Sequence, residues 1–356
     1  MPRFSICVSS YNDAEFLPAC IDSVLNQSFS DFELIIVDDG SPDDTASIIN
    51  SYAMRDARIV PIIKQVNEGV HLGRKSAVAK CSGDLVILLD SDDELGESLF
   101  LEKLNGYSLV HPADIYHFGI EVINAGVSDQ ERNDFEAYVN RDIEPLYGSD
   151  IVNTAFSADA GYRQDWRITQ RAYESAYFKR VYENMTSDRM GRAQDGYECF
   201  VALAEAESQL TCNNIVGLKY YLGRGVNSGT QISTESFVKS ANGFWSSVSH
   251  MREYCKGFDR FDLSSSFNGG KLKLMDLLFN DWIVRVNDSD KLAAARGAAE
   301  VCGGVEVATQ LMRLARDNAY SHWVDGTELD DCAIAWYHEA KLLAGGEYFT
   351  SQELID

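Results

Sequence analysis

Apolar and polar positions alternate along roughly the first 120 residues in a pattern that predicts strands separated by helices. Four short apolar runs predict buried strands, namely FSICVS, FELIIVDD, RIVPIIK and DLVILLDSDD. Between these runs, residues 13–27, 44–52 and 70–80 carry apolar side chains at the spacing of one helix face. Such alternation is typical of an α/β fold with a mostly parallel sheet flanked by helices.

The pattern becomes less regular after about residue 113. ADIYHFGIEVI predicts another strand, residues 124–145 read as a variable excursion, and LTCNNIVGLKYYLGR predicts two short strands. Beyond about Ser233 the pattern is helical with glycine breaks. We therefore predict a main α/β domain over residues 1–230 and a helical C-terminal region over residues 231–356.

The charge balance restricts the partners of the chain. There are 31 Lys+Arg against 55 Asp+Glu, which gives a formal net charge of -24. A surface this acidic repels nucleic acid and the anionic face of a membrane, so we expect no nucleic-acid partner. An anionic substrate would need a local cationic patch or a divalent metal ion to bind here.

Cysteine placement and the N-terminus predict a cytoplasmic protein. The eight cysteines are scattered, with no CxxC and no Cys/His cluster at zinc spacing, which favours free thiols in a reducing compartment. The chain starts a strand pattern at once and lacks the layout of a signal peptide. No apolar run approaches the ~20 residues that span a bilayer. Peripheral association with the inner face of a membrane stays open.

Three predicted strands end in polar side chains. Because ligands of a parallel sheet bind at the carboxyl ends of its strands, we expect these side chains to meet at one edge. A carboxylate there can accept a hydrogen bond from the imide N–H of a uracil, and a tyrosine ring can stack on the base. The residues after the first, second and fourth strands are Ser9 and Tyr11, Asp38 and Asp39, and Asp90, Asp92 and Asp93.

The acidic cluster predicts a metal site. Asp90, Asp92 and Asp93 follow the apolar run LVILL directly, and carboxylates this close raise one another's pKa unless a cation lies between them. Hard oxygen ligands on a fixed loop suit Mg²⁺ or Mn²⁺, which keep coordination positions open for substrate phosphates. The alternative is a solvated loop in which the first Asp caps the next helix.

Two long stretches resemble the N-terminal half of the family-2 glycosyltransferases, which have the GT-A fold. They are FSICVSSYNDAEFLPACIDSVLNQSFSDFELIIVDDGSPDDT and NEGVHLGRKSAVAKCSGDLVILLDSDD. With the segment between them, the resemblance runs over about ninety continuous residues. The resemblance implies that Ser9, Tyr11, Asp38 and Asp39 hold the nucleotide base, that Arg74 contacts the nucleotide, that Asp90 binds ribose, and that Asp92 and Asp93 bind the metal. Ser9 and Lys75 depart from the pattern, since the family usually has Pro and Asn there.

The resemblance also implies a catalytic base. Asp195 in RAQDGYECFVAL opens a helical pattern and is similar to the Asp of the family's ED motif, although Gln194 replaces the usual Glu. The alternative role for Asp195 is that of a plain helix cap. In KYYLGRGVNSGT, which resembles the family's lid region, Arg224 or Lys219 is a candidate for contact with the diphosphate of the donor, and the alternative is that both are simple surface charges.

The implied activity is one-step transfer of a sugar from a nucleotide diphosphate donor, with a UDP-sugar as the default, to a hydroxyl acceptor with inversion. The cofactor would be Mn²⁺ or Mg²⁺, and the acceptor a glycan, lipid-linked or other hydroxyl compound of bacterial surface-polysaccharide assembly. The amphipathic C-terminal stretches favour core packing or a homo-oligomer contact, with docking to a membrane or to the acceptor as the alternative.

Two other classes of protein stay open. One is a catalytically silent, glycosyltransferase-like binding or scaffold subunit, against which the intact acidic cluster and Asp195 argue. The other is a dehydrogenase on a doubly wound sheet. Its dinucleotide would lack a phosphate cradle, because the first strand is followed by SSYND and not by GxGxxG.

Overall fold

The computed structural model describes residues 1–224 and 231–345 of the chain. Within these ranges the strands are β1 (Phe4–Ser10), β2 (Phe32–Asp38), β3 (Ile59–Ile63), β4 (Leu85–Asp90), β5 (Glu94–Leu95), β6 (Ile115–Asn124), β7 (Leu146–Tyr147), β8 (Arg171–Glu174) and β9 (Ser208–Leu222). The helices are α1 (Leu17–Leu25), α2 (Thr45–Ala53), α3 (Val70–Val78), α4 (Phe100–Val110), α5 (Asp129–Val139), α6 (Ser149–Phe156), α7 (Ser175–Asn184), α8 (Gln194–Glu205), α9 (Thr234–Gly257), α10 (Ser264–Arg285), α11 (Lys291–Cys302), α12 (Gly304–Asp325) and α13 (Asp331–Leu343).

The chain divides into two compact units. The first contains Met1–Met190, the described part of Gln194–Ser228, and His250–Gly270. The second contains Gly191–Ala193 and the described parts of Gly229–Ser249 and Lys271–Asp356. The sequence-based division of the chain at residue 230 stays a prediction.

The first unit is built on one sheet, in which the described strands follow the order β3-β2-β1-β4-β8-β6-β9-β5, with β7 also paired to β9. The neighbours β3, β2, β1 and β4 are parallel to one another, and so are β6 and β9. The remaining pairs are antiparallel. The parallel character that the sequence predicts is thus concentrated in the first four long strands, and the whole sheet is mixed.

Helices cover the parallel half of this sheet because its strands are apolar on both faces. The consecutive β2 residues Ile35 and Ile36, which point to opposite faces of the sheet, are both completely buried. On one of these faces Ile36 belongs to the same hydrophobic core as Cys20 of α1 and Ile49 of α2. Continuous apolar runs are expected where a parallel strand is covered on both faces. The α/β class with a helical C-terminal region is therefore confirmed.

Aromatic side chains form much of the core of the second unit. Trp282 on α10 is fully buried, and its indole N–H donates to the backbone carbonyl of Lys291 at 2.9 Å. Its ring lies 5.3 Å from that of Trp336 on α13, centroid to centroid. Phe237 on α9 meets Phe279 on α10 edge to face at 5.9 Å. These contacts show a packed helical unit, and a homo-oligomer contact through its helices stays a prediction.

Two further expectations concern thiols and the membrane. All eight cysteines lie in the described ranges and are free thiols, six of them buried. Within residues 1–224 and 231–345, no helix combines the length and the apolar character needed to cross a bilayer.

Candidate active site

The carboxyl ends of the parallel strands bring the predicted polar residues to one edge of the sheet. Ser9 on β1 is in register with Asp90 on β4, and Ser10 on β1 is in register with Asp38 on β2. The backbone N–H of Asp39 extends this pairing by donating to the carbonyl of Ser10 at 2.9 Å. Three separate strand ends therefore contribute side chains to the same rim.

Asp39 is buried and engaged at the start of α3. One carboxylate oxygen, Oδ2, accepts a hydrogen bond from the backbone N–H of Gly69 at 2.6 Å. The other, Oδ1, lies 3.2 Å from Nζ of Lys64. Gly69 has a φ of 93°, a left-handed value that a residue with a side chain rarely adopts, and α3 begins at the next residue. The glycine thus lets the chain turn into the helix while its N–H holds Asp39.

Asp38 and Tyr11 differ in their exposure to solvent. Asp38 is buried, and its Oδ1 accepts from the backbone N–H of Ser41 at 2.9 Å, which fixes the turn after β2. Tyr11 is 47% exposed, in contrast to the buried aspartates beside it. An exposed ring next to a rigid strand end is free to stack on a planar ligand.

The two departures from the resembled pattern make packing contacts. A Cβ at Gly73 would overlap the hydroxyl of Ser9, so the glycine allows α3 to lie close against β1 at this point. Lys75 donates from Nζ to the backbone carbonyl of Met185 at 2.7 Å, and so ties α3 to the segment after α7.

The acidic cluster after β4 contains one partly exposed and one buried aspartate besides Asp90. Burial, followed by the charges of Asp90 and Asp13, raises the pKa of Asp92 to about 6. Asp93 is 3% exposed, and its Oδ1 accepts from the backbone N–H of Tyr221 at 3.0 Å. Burial and then its two acidic neighbours raise the pKa of Asp93 well above its ordinary value. The like charges therefore act on one another as the sequence predicts.

Arg74 joins this cluster to the proposed base. Its Nη2 donates to Asp90 at 2.6 Å, and its Nη1 donates to Glu198 at 2.7 Å and also to Asp195. Only 3% of Arg74 is exposed. Burial disfavours its charged form, but Asp195, Asp90 and Glu198 raise the pKa of Arg74 well above its ordinary value. One guanidinium thus contacts three carboxylates, one at the end of β4 and two on α8.

Asp195 lies in the first turn of α8 and faces this guanidinium. Its side chain is 45% exposed, so it can meet a ligand while it contacts Arg74. Partial removal from water raises the pKa of Asp195, Arg74 opposes that rise, and the charges of Asp90 and Glu198 add to it. A carboxylate with a raised pKa is a better proton acceptor than an ordinary surface Asp.

Sequence reasoning missed Glu198 and His71. Both are completely buried, and Nδ1 of His71 lies 2.7 Å from Oε1 of Glu198. Glu198 follows Asp195 by three positions on α8, and Arg74 follows His71 by three positions on α3. Residues at that spacing share a helix face, so this periodicity was the available signal.

The described residues contain no group of three or more His, Cys, Asp or Glu side chains arranged to hold a metal ion. Mg²⁺ commonly uses only one or two protein carboxylates and completes its coordination with water and substrate phosphates. The crowded carboxylates of Asp90 and Asp92, with the raised pKa of Asp92, fit an ion that binds together with a diphosphate.

Comparison with known proteins gives a consistent result. The sequence model described as Glycosyl transferase family 2 matches residues 5–169. An uncharacterized glycosyltransferase of Bacillus subtilis, EpsJ, is 40% identical over 100 residues, which are 28% of this chain and 29% of the relative. A PGL/p-HBAD biosynthesis glycosyltransferase of Mycobacterium bovis is 34% identical over 117 residues, 33% of this chain and 46% of the relative. The matched stretch spans less than half of either relative.

A solved structure extends the likeness over nearly the whole chain. Residues 1–349 of S. aureus TarS, in complex with UDP-GlcNAc, superpose with a TM-score of 0.59 and 16% identity, covering 98% of this chain and 93% of that one. At this identity the likeness concerns the fold. It confirms the predicted GT-A type of fold with a helical C-terminal region.

Proposed function

We propose that this chain, whose residues 5–169 match the sequence model described as Glycosyl transferase family 2, moves a sugar from a nucleotide diphosphate donor to a hydroxyl acceptor with inversion. The observation that carries the proposal is the position of Arg74, which contacts Asp90 at the strand ends and Asp195 on α8. A group at the donor edge and a candidate base are thereby held within reach of one side chain. Transfer requires the bound donor and the base that deprotonates the acceptor hydroxyl to lie close together.

The nucleotide would bind at the ends of β1 and β2. Tyr11 presents an exposed ring for stacking, and Asp39 supplies a carboxylate for the imide N–H of uracil. Ser9 and Asp38 would flank this part of the site, at the ends of two strands that are in parallel register. UDP-GlcNAc, which is bound in the S. aureus TarS structure, is the first donor to test.

The diphosphate and a divalent cation, Mn²⁺ or Mg²⁺, would bind beside Asp92. Of the two predicted metal ligands Asp92 is better placed, because Asp93 is 3% exposed and already accepts from the N–H of Tyr221. When bound, the ion would neutralise the negative charge that develops on the departing diphosphate. Asp90 would orient the ribose, and Arg74 would fix Asp90.

Asp195 would take the proton of the acceptor hydroxyl as that oxygen attacks the anomeric carbon. Its raised pKa suits a group that must accept a proton, and its 45% exposure allows it to touch substrate. Attack from the side opposite to the leaving diphosphate inverts the configuration. The acceptor would be a glycan, lipid-linked or other hydroxyl compound of surface-polysaccharide assembly.

The test is Mn²⁺-dependent binding and hydrolysis across a panel of nucleotide sugars with wild type, Asp92→Ala and Asp195→Asn. One donor should bind with metal, Asp92→Ala should weaken that binding at least about tenfold, and Asp195→Asn should lower turnover by about 10²–10⁴-fold without changing binding. Asp44→Ala is the matched control, because Asp44 is exposed and its side chain makes no capping hydrogen bond.

Two results would contradict the proposal. Absence of binding by every donor, with or without metal, would leave the chain as a glycosyltransferase-like scaffold subunit. Donor turnover that Asp195→Asn leaves unchanged would remove Asp195 from the reaction while keeping the donor site.

A further inference from the structure

Glu198 and His71 form a buried pair behind Arg74, one layer away from the groups assigned to substrate. Glu198 receives Nη1 of Arg74 on Oε2 at 2.7 Å and faces Nδ1 of His71 on Oε1 at 2.7 Å. Neither side chain has any exposed surface. Both carboxylate oxygens are therefore committed, and Glu198 itself cannot meet a ligand.

The contacts of His71 determine its charge. Nε2 of His71 lies 3.0 Å from the backbone carbonyl of Thr186, which can only accept a hydrogen bond. Nδ1 faces Glu198, and although burial opposes ionisation, Arg74 and His71 hold the pKa of Glu198 below its ordinary value. An ionised carboxylate also only accepts. Both ring nitrogens of His71 therefore face acceptors, and we infer from these contacts that both donate, which would make His71 a buried imidazolium.

We propose that Glu198 and His71 are positioning residues that hold Arg74 between Asp90 and Asp195 and thereby set the strength of Asp195 as a base, an inference that rests on the proposed function. Asp195 and Glu198 both accept a hydrogen bond from the same atom, Nη1 of Arg74. Because both carboxylates interact with the one positive charge of Arg74, a change at Glu198 alters the strength of the interaction between Arg74 and Asp195.

Several charged or titratable groups face Asp195, and the pair accounts for only part of its environment. Arg74 approaches from α3, Asp90 from β4 and Glu198 from α8 itself. Arg167, from the segment before β8, and Tyr182 on α7 also interact with its charge. The first three belong to one hydrogen-bonded cluster, whereas Arg167 is ion-paired with Asp165 at 3.4 Å.

Replacing Glu198 and replacing His71 with a neutral residue should shift the acid limb of the kcat–pH profile in opposite directions. In Glu198→Gln, a negative charge near Asp195 is lost and Arg74 bonds Asp195 more strongly, so the acid limb of the kcat–pH profile should fall by about one pH unit. The plateau of kcat should also drop about tenfold, because a weaker base accepts the proton less readily. In His71→Asn, a donor to Glu198 is kept but a positive charge is lost, so the acid limb should rise by about half a pH unit.

The experiment measures kcat against pH for wild type and both variants, at saturating Mn²⁺ and with the donor that the panel of nucleotide sugars identifies. Donor affinity and thermal unfolding are measured in parallel, and Glu205→Gln is the matched control. Glu205 lies on the same helix and accepts from Tyr254, outside the Arg74 cluster, so this variant should keep the wild-type acid limb. Opposite shifts in the two test variants support the inference.

Each other outcome has a definite meaning. If wild type turns over but neither acid limb moves, the pair is merely structural and the inference is overturned. If wild type shows no turnover with any donor, the proposed function fails first. ¹⁵N NMR of the His71 ring in wild type needs neither variant nor substrate: a doubly protonated ring at pH 8 supports the buried imidazolium, and a neutral ring overturns it.

Discussion

The guanidinium of Arg224 donates a hydrogen bond to the backbone carbonyl of Asp92, with 3.1 Å between Nη1 and the oxygen. It lies over the rings of Tyr221, at 3.5 Å, and Phe16, at 4.8 Å. Lys219, the other cation expected to reach the donor, is instead 3.9 Å from Glu94 on β5. Of these two cations Arg224 is thus the one beside Asp92, and we assign the diphosphate contact to it.

Arg224→Ala should weaken binding of a nucleoside diphosphate about tenfold, since a charge-assisted contact to phosphate is lost. Binding of the corresponding nucleoside should not change, because we assign its base to the ends of β1 and β2 and its ribose to Asp90, and neither of them to Arg224. Titration calorimetry with UDP and uridine separates the two effects. Lys219→Ala is the control, and an equal loss for Lys219→Ala would contradict the assignment.

Asp39 is predicted to select the nucleotide base. Asp39→Asn removes the carboxylate that we assign to the imide N–H of uracil, so affinity for UDP should fall about tenfold. Affinity for CDP, whose base lacks that N–H, should change much less. Asp38→Asn is the comparison, because both carboxylates are buried and hold a backbone N–H, that of Ser41 for Asp38 and that of Gly69 for Asp39, so a loss specific to Asp39 would indicate contact with the base. A parallel loss for both nucleotides would instead indicate that Asp39 is needed only to hold Gly69.

The first half of the site could be predicted from the sequence because its residues follow directly on apolar strands. Asp38 and Asp90 each close a buried run, and a parallel sheet brings such ends together without further information. Asp195 was found through the helical pattern that it opens and through the family resemblance. The placement of the strand ends needed only local order and one general rule of sheet topology, whereas the role assigned to Asp195 depends on the resemblance as well.

The partners of Arg74 could not be predicted in the same way. Its contact with Glu198 joins residues 124 positions apart, and no local pattern specifies which buried carboxylate a buried guanidinium will meet. The two short strands predicted in LTCNNIVGLKYYLGR are in fact one strand, β9. Its pairing with β6 shifts register on either side of Gly119, so an irregularity accommodates the polar break that resembled a turn.

Gly217 on β9 is predicted to be essential for packing. A Cβ at this position would lie 2.5 Å from the ring of Phe118 and closer still to that of Phe100, and both rings are fully buried. Gly217→Ala should therefore cost about 1–3 kcal/mol of unfolding free energy. Gly106→Ala in α4 is the control, because its Cβ would meet nothing within 4 Å and alanine favours the helix by roughly 0.5–1 kcal/mol. Urea denaturation measures both, and equal effects would refute the packing argument.

His117 on β6 should make the fold sensitive to acid. Burial, followed by the nearby charge of Arg171, lowers the pKa of His117 from 6.5 to about 3. Below pH 6.5 His117 binds a proton in the unfolded chain but not in the folded chain. The free energy of unfolding is therefore at its full value above that pH and decreases as pH falls from 6.5 toward 3. By pH 5 the loss amounts to about 2 kcal/mol.

Replacing this histidine should remove that part of the acid sensitivity. The unfolding free energy of His117→Gln should fall about 2 kcal/mol less than that of wild type between pH 7 and pH 5. Between pH 7 and pH 8 the two curves should run parallel, because the imidazole is neutral in both the folded and the unfolded chain. That interval is an internal control, since it separates the general cost of the substitution from its effect on proton binding. Parallel curves down to pH 5 would show that His117 takes up its proton in the folded chain as readily as in the unfolded one.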